Sequence, residues 1–156
     1  MTKSDRLNDR ELRAWRGFLT MQDDVRRHMN RQLTSEAGIS LAEFSILSAL
    51  RLQPDRPMRV FELVDTLKWE KSRIIHQLSR MVRRGLVERR ASEEDGRGTD
   101  IALTAEGRGV IDKALPLHID HIRRLFFDVV TPRQLDMLAD LSEAVLENLE
   151  GEPFDQ

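Results

Sequence analysis

The segment from Glu70 to Gly107, EKSRIIHQLSRMVRRGLVERRASEEDGRGTDIALTAEG, limits what this chain can fold into more than any other stretch. It reads as a helix with a basic and polar outer row, then a strand, an arginine-tipped hairpin and a returning strand. Few folds other than a winged helix-turn-helix need those parts in that order. In such a module one helix can lie in the DNA major groove while the hairpin reaches a neighbouring minor groove. The segment therefore points to sequence reading more than to catalysis.

The flanking elements follow from local signals. Asn8 with Glu11 and Ser40 with Glu43 each place a capping oxygen three residues before a carboxylate, and Thr131 stands likewise before Gln134 with Pro132 between. The first helix is predicted from about Asp9 to Glu36, carrying Leu12, Trp15, Phe18 or Leu19, Val25 and Met29, with Gly38 ending it. A second, capped by Ser40, carries Leu41, Phe44, Leu47 and Leu50 and stops before the turn Gln53-Pro54-Asp55-Arg56-Pro57. A third spans about Val60 to Leu67.

The fourth helix, about Lys71 to Arg84, is predicted to turn Ile75, Leu78, Met81 and Val82 inward, leaving Arg73, His76, Gln77, Arg80 and Arg84 outside. Gly85 terminates it. Two strands follow, Leu86 to Ser92 and Thr99 to Leu103, joined by Glu93-Glu94-Asp95-Gly96-Arg97-Gly98, whose glycines permit the reversal. Thr104 caps the next helix, with Val110, Ile111, Leu115, Ile119, Ile122 and Phe126 apolar and a bend expected at Pro116. The last helix, Pro132 to about Leu149, carries Leu135, Leu138, Leu141 or Ala144, Val145 and Leu149. The expected fold class is mainly α with a small β-wing: about six helices and a two- to three-stranded antiparallel sheet.

A formal net charge of −2 suits a nucleic-acid binder poorly until its distribution is considered. From Lys68 to Arg97 nine cations face five carboxylates, whereas from Asp128 to Gln156 one cation faces eight carboxylates. A phosphate responds to the local field, so one region suits DNA and the other does not. Such clusters can also be solvated helix faces, and it is the hairpin that favours the nucleic-acid reading. With no cysteine there is no disulfide framework, thiolate zinc site or thiol sensor. No long uncharged apolar run exists, and Met1 to Asp9 is charged where a signal peptide would be apolar, so no membrane partner and a cytoplasmic location are expected.

The terminal helices raise the question of where their apolar faces go. A long first helix and two closing helices, all amphipathic, have too little partner surface within one protomer, and a symmetric homodimer built from both chain ends resolves this. A self-contained helical subdomain is the alternative. Pairing would also space two reading helices by about one helical turn, roughly 34–36 Å, to match a palindromic site.

These residues resemble the multiple antibiotic resistance regulator (MarR) family of bacterial winged-helix transcription factors. The resemblance spans nearly the whole chain, as a single MarR-type unit over residues 1–156. Its most specific part is Asp95-Gly96-Arg97-Gly98 followed by Ile101-Ala102-Leu103-Thr104-Ala105-Glu106-Gly107, supported by Arg80-Met81-Val82-Arg83-Arg84-Gly85-Leu86-Val87. The resemblance implies a homodimer on pseudo-palindromic double-stranded promoter DNA that represses and is released by a small aromatic or phenolic acid. In the cell it would be cytoplasmic, associated with the nucleoid when bound. Residues 40–104 would form the winged DNA-binding region, and 1–38 with 105–150 the helical dimerisation region.

Carried onto this sequence, Arg97 takes the wing position that enters the minor groove, oriented by Asp95. Ser72, Arg73, His76 and Gln77 stand at the major groove, where arginine suits guanine and glutamine suits adenine. Lys71, Arg80, Arg84 and Arg89 are cast as phosphate contacts. Glu70 departs from the family, which commonly places a small hydroxyl residue there as the cap.

For a ligand pocket the candidates are Trp15, Phe18, Met21, His28, Phe44 and Leu47, all of which also fit helix cores. His118 and His121 stand three apart, a spacing compatible with a metal pair, but without distinctive partners a solvated or dimer-facing role is preferred, and neither metal nor cofactor is expected. No phosphate-cradling glycine loop, nucleophile elbow or tyrosine supports an enzyme. The remaining rival is a winged-helix module for protein contact, without specific DNA binding.

Overall fold

The computed structural model describes residues 6–53, 56–92 and 98–151. Among these lie six α-helices and a three-stranded antiparallel sheet, the winged helix-turn-helix arrangement expected from the sequence. Two compact units are present, Met1–Ile119 and Asp120–Gln156.

In the first unit, helix α1 (Asp9–Ala37) opens with a reciprocal cap. The Asn8 side chain accepts from the Glu11 backbone N–H at 2.9 Å, and the Asn8 N–H donates to the Glu11 carboxylate at 2.9 Å. Gly38, in the left-handed region at φ 68°, closes α1, as a residue without Cβ does most cheaply. The same reciprocal cap between Ser40 and Glu43 starts α2 (Leu41–Arg51). Next come β1 (Met58–Arg59), α3 (Val60–Leu67) and α4 (Lys71–Arg83). The wing strands are β2 (Val87–Ala91) and β3 (Thr99–Leu103), and α5 (Ala105–Ile122) follows.

β3 is central: it pairs with β1 through Met58 and Ile101, and with β2 through Val87 opposite Leu103 and Arg89 opposite Ile101. Because strand side chains alternate, Met58, Val87 and Ile101 share the buried face. They join Leu33, Ile46, Leu47, Leu63, Ile74, Leu78, Met81 and Ile111 in one core. Full burial of each such side chain stabilises by about 1.5–3 kcal/mol relative to exposure.

Two expectations need correcting here. Ile74, not Ile75, faces the core: the buried set 74, 78, 81 keeps the helical i, i+4, i+7 spacing, and Ile75, one residue on, is 43% exposed beside Lys71. His118 is neither solvated nor left on an outer face. It is 4% exposed, its Nδ1 lies 3.0 Å from Gln32 Oε1, and its ring centroid is 4.4 Å from that of Phe44. A buried imidazole needs such a partner, and Gln32 of α1 supplies it.

α5 runs unbroken through Pro116 and gives way to a π turn at Arg123–Phe127. In the second unit, Thr131 and Gln134 cap α6 (Pro132–Gly151) reciprocally. No residue of α6 is buried, and Met137, Leu141, Val145, Leu146 and Leu149 are all exposed. α1 is similar over its first half, where Trp15, Phe18, Leu19 and Met21 face outward. No helix among the described residues is long and apolar enough to cross a membrane.

Candidate nucleic-acid interface

α4 has its apolar side anchored by Ile74, Leu78 and Met81, which leaves Ser72, Arg73, His76 and Arg80 exposed along the other. Gln77 is half-buried on the flank of this row. The row is internally ordered. The Arg73 guanidinium stacks over the indole of Trp69, 4.0 Å from the ring centroid. One turn further on, Arg80 Nη2 lies 2.9 Å from His76 Nε2. A guanidinium only donates, so His76 presents a lone pair on Nε2 in this contact. Trp69 was not among the residues expected from the sequence, although its spacing of four from Arg73 was the available signal.

Glu70, at the N-cap of α4, makes no side-chain capping bond, so the exposed N-terminal N–H groups of this helix lack the usual oxygen. The helix ends with Arg80 and Arg83 near its negative pole. Lys71 lines a groove of about 380 Å³ together with Phe61, Val64 and Ile75.

The cations expected at phosphates have distinct surroundings. Arg89 Nη2 donates to Ser79 Oγ at 2.9 Å, tying β2 to the back of α4. Arg84 turns away from the row, pairing with the Glu43 carboxylate and donating through Nη2 to the Gly38 carbonyl at 2.8 Å. It thus joins the exit of α4 to the corner between α1 and α2.

Asp95 and Arg97, the wing-tip pair, lie outside the described residues. Ser92 N–H donates to Gly98 O at 2.9 Å, and Arg59 of β1 reaches over it, with Nε 3.2 Å from Asp100 and Nη2 donating to Ser92 Oγ at 2.7 Å. A Cβ at Gly98 would fall 1.8 Å from Arg59 Nη1, so glycine makes room for this guanidinium. Sequence reasoning missed Arg59 because its partners are brought to it only by the pairing of β1 with β3.

The six ligand-pocket candidates divide between two settings, with the ring centroids of Trp15 and Phe18 5.8 Å apart. Phe44 and Leu47 belong to the core, while Trp15, Phe18, Met21 and His28 are exposed on α1. Among the described residues no three His, Asp or Glu side chains form a metal-holding group. His121 is half-buried, and its Nε2 has no hydrogen-bond partner among the described residues.

Residues 37–98 match the profile of the MarR family. The HTH-type transcriptional repressor YetL of Bacillus subtilis is 30% identical over 131 residues, which cover 81% of this chain and 78% of YetL. AbsC, a MarR family transcriptional regulator from Streptomyces coelicolor, superposes with a TM-score of 0.88 at 31% identity, over 96% of this chain and 100% of that one. Sco3205, a MarR family transcriptional regulator of the same organism crystallised in complex with DNA, superposes with a TM-score of 0.87 at 31% identity, over 97% of this chain and 94% of its own.

Proposed function

The chain belongs to the MarR family of DNA-binding transcriptional regulators, and from that premise we propose that it acts as a homodimeric repressor on a pseudo-palindromic promoter site. The observation that carries this reading is the ordered, solvent-facing row on α4. Its side chains are of the types that read base edges, and its backbone is fixed by three fully buried apolar residues. Ser72, Arg73, His76 and Gln77 meet the bases, Lys71, Arg80 and Arg89 meet phosphates, and Asp95 with Arg97 serves the minor groove.

Arg84 is better assigned as a structural tie, since its guanidinium is engaged by Glu43 and Gly38. Residues 40–104 then form the reading region, and 1–38 with 105–150 the pairing region, whose exposed apolar side chains on α1 and α6 a second copy would cover. Repression is assigned because the relative YetL carries that description. A small aromatic acid that relieves it would act where α1 side chains such as Trp15 and Phe18 meet the partner. The site offers positioned donors for an anionic duplex and nothing that assembles a nucleophile with its base, so no catalytic activity is assigned.

A promoter gel shift tests this directly. Arg97→Ala is expected to bind all sequences more weakly and to lower the log–log salt slope by about one, and Gln77→Ala to lose about 1–3 kcal/mol of discrimination at one base pair. If both variants bind like the parent, the assignment of reading residues is wrong. A protein-contact module would show neither a steep salt dependence nor an operator preference.

A further inference from the structure

A second gathering of arginines lies on the other side of the wing sheet. Arg89 and Arg90 are consecutive in β2 and leave opposite faces: Arg89 turns to Ser79 of α4, and Arg90 stands on the side away from that helix. There a cavity of about 190 Å³ is walled by Arg56, Arg90, Arg108 and Gln53, with Leu50 and Ala102 also lining it. None of the described lining residues carries a carboxylate.

Two of the three guanidiniums are paired with carboxylates. Arg56 Nη2 lies 2.7 Å from Glu62 Oε2, and Arg90 donates through Nε to Glu88 at 2.7 Å; neither carboxylate lines the cavity. Each of these arginines has five N–H groups and uses only one or two in its pair. Arg108, in the first turns of α5, makes no ion pair or side-chain hydrogen bond among the described residues. Arg108 thus brings an uncompensated positive charge beside two paired guanidiniums that keep N–H groups to spare.

We propose that this cavity is a binding site for a phosphoryl dianion, either inorganic phosphate or the head of a small phosphomonoester. Three guanidinium forks match the oxygens of a tetrahedral dianion in a way that one monocarboxylate cannot satisfy. The volume holds several water molecules and hence such a group with a short body, but not a nucleotide. The ligand would link the turn before β1, the strand β2 and the start of α5. Nothing in the proposed reading of DNA by α4 requires this site, so the two can fail separately.

The test uses the full-length protein at ionic strength held constant with sodium chloride. Inorganic phosphate and, in a separate arm, glycerol 3-phosphate are titrated while following 31P line broadening and the melting temperature. The parent is expected to show saturable broadening and a saturable rise in melting temperature with one or both probes. Arg108→Ala is expected to weaken binding by at least about tenfold, Arg108→Lys to retain part of it, and Arg83→Ala, an exposed arginine outside the cavity, to leave it intact. Arg90→Gln provides a second variant should Arg108→Ala fold poorly. No saturable effect in the parent, or an equal effect in Arg108→Ala and Arg90→Gln, overturns the proposal. So does an Arg108→Ala protein that still binds phosphate yet loses about one unit of salt slope with promoter DNA, since the arginines would then serve the duplex.

Discussion

The guanidinium of Arg73 rests on the indole of Trp69, bridging the turn between α3 and α4 at 4.0 Å from the ring centroid. Stacking leaves the N–H edge of the guanidinium free, so it restricts the side chain without consuming the groups that would grip a base. A cation–π contact at an exposed site contributes about 0.5–1 kcal/mol, which corresponds to roughly two- to fivefold in an equilibrium. Trp69→Ala is therefore expected to reduce operator preference over random DNA by about that factor, with Trp69→Phe restoring part of it. Competition binding measures this ratio, and an unchanged preference in Trp69→Ala would show that Trp69 does not position Arg73.

Gly107 sits where α5 crosses the exit of α4. A Cβ there would lie 1.9 Å from the Leu86 carbonyl oxygen, a backbone atom that cannot rotate away. The same corner is tied by Thr104, whose hydroxyl donates to Gly85 O at 2.6 Å and accepts from Gly107 N–H at 2.9 Å. Gly107→Ala is expected to destabilise by about 1–3 kcal/mol or more in urea unfolding. Gly109→Ala, with open space around the new methyl, should instead stabilise by about 0.5–1 kcal/mol. Equal stability of the two variants would contradict the close approach at Leu86.

Ser40 offers a local test of helix initiation. Its hydroxyl accepts from the Glu43 N–H at 3.0 Å while its own N–H donates to the Glu43 carboxylate at 3.0 Å. Ser40→Ala should cost about 1 kcal/mol, and Ser40→Gly less, as an N-cap contribution does. Chemical denaturation of the three proteins side by side decides it.

The exposed apolar side of α6 gives the pairing proposal its sharpest consequence. Leu141 and Val145 lie one turn apart, and both are exposed in the single chain. A double substitution, Leu141→Asp with Val145→Asp, is expected to yield a monomer in sedimentation equilibrium with helical content retained and operator affinity lost. A double variant that remains dimeric would remove α6 from the interface.

Where a signal was local, the chain's organisation could be read directly. The caps at Asn8, Ser40 and Thr131 involve residues three apart, and each is present. The order of helices, wing strands and closing helices follows from the same short-range patterns. Reading failed where two neighbours fitted one pattern equally, as with Ile74 and Ile75, because only the third dimension decides which of two adjacent isoleucines meets the core. It failed again where partners are distant in sequence. β1 is two residues long and exists through Met58 and Arg59 pairing with β3. Arg59 meets Asp100, and His118 meets Gln32, only after folding. Of the candidate interface, the exposure of Arg73, His76 and Arg80 on α4 was legible, and the stacking of Trp69 beside them was not.

The Glu43 carboxylate has a reach that its position at the start of α2 does not suggest. It closes the Ser40 cap and also clasps Arg84 beyond the end of α4. A lesion at this one side chain would therefore not stay confined to the first turn of its own helix. It would loosen a hinge-pin shared by three helices and disturb the seating of α4 while leaving every side chain of its outer row chemically intact.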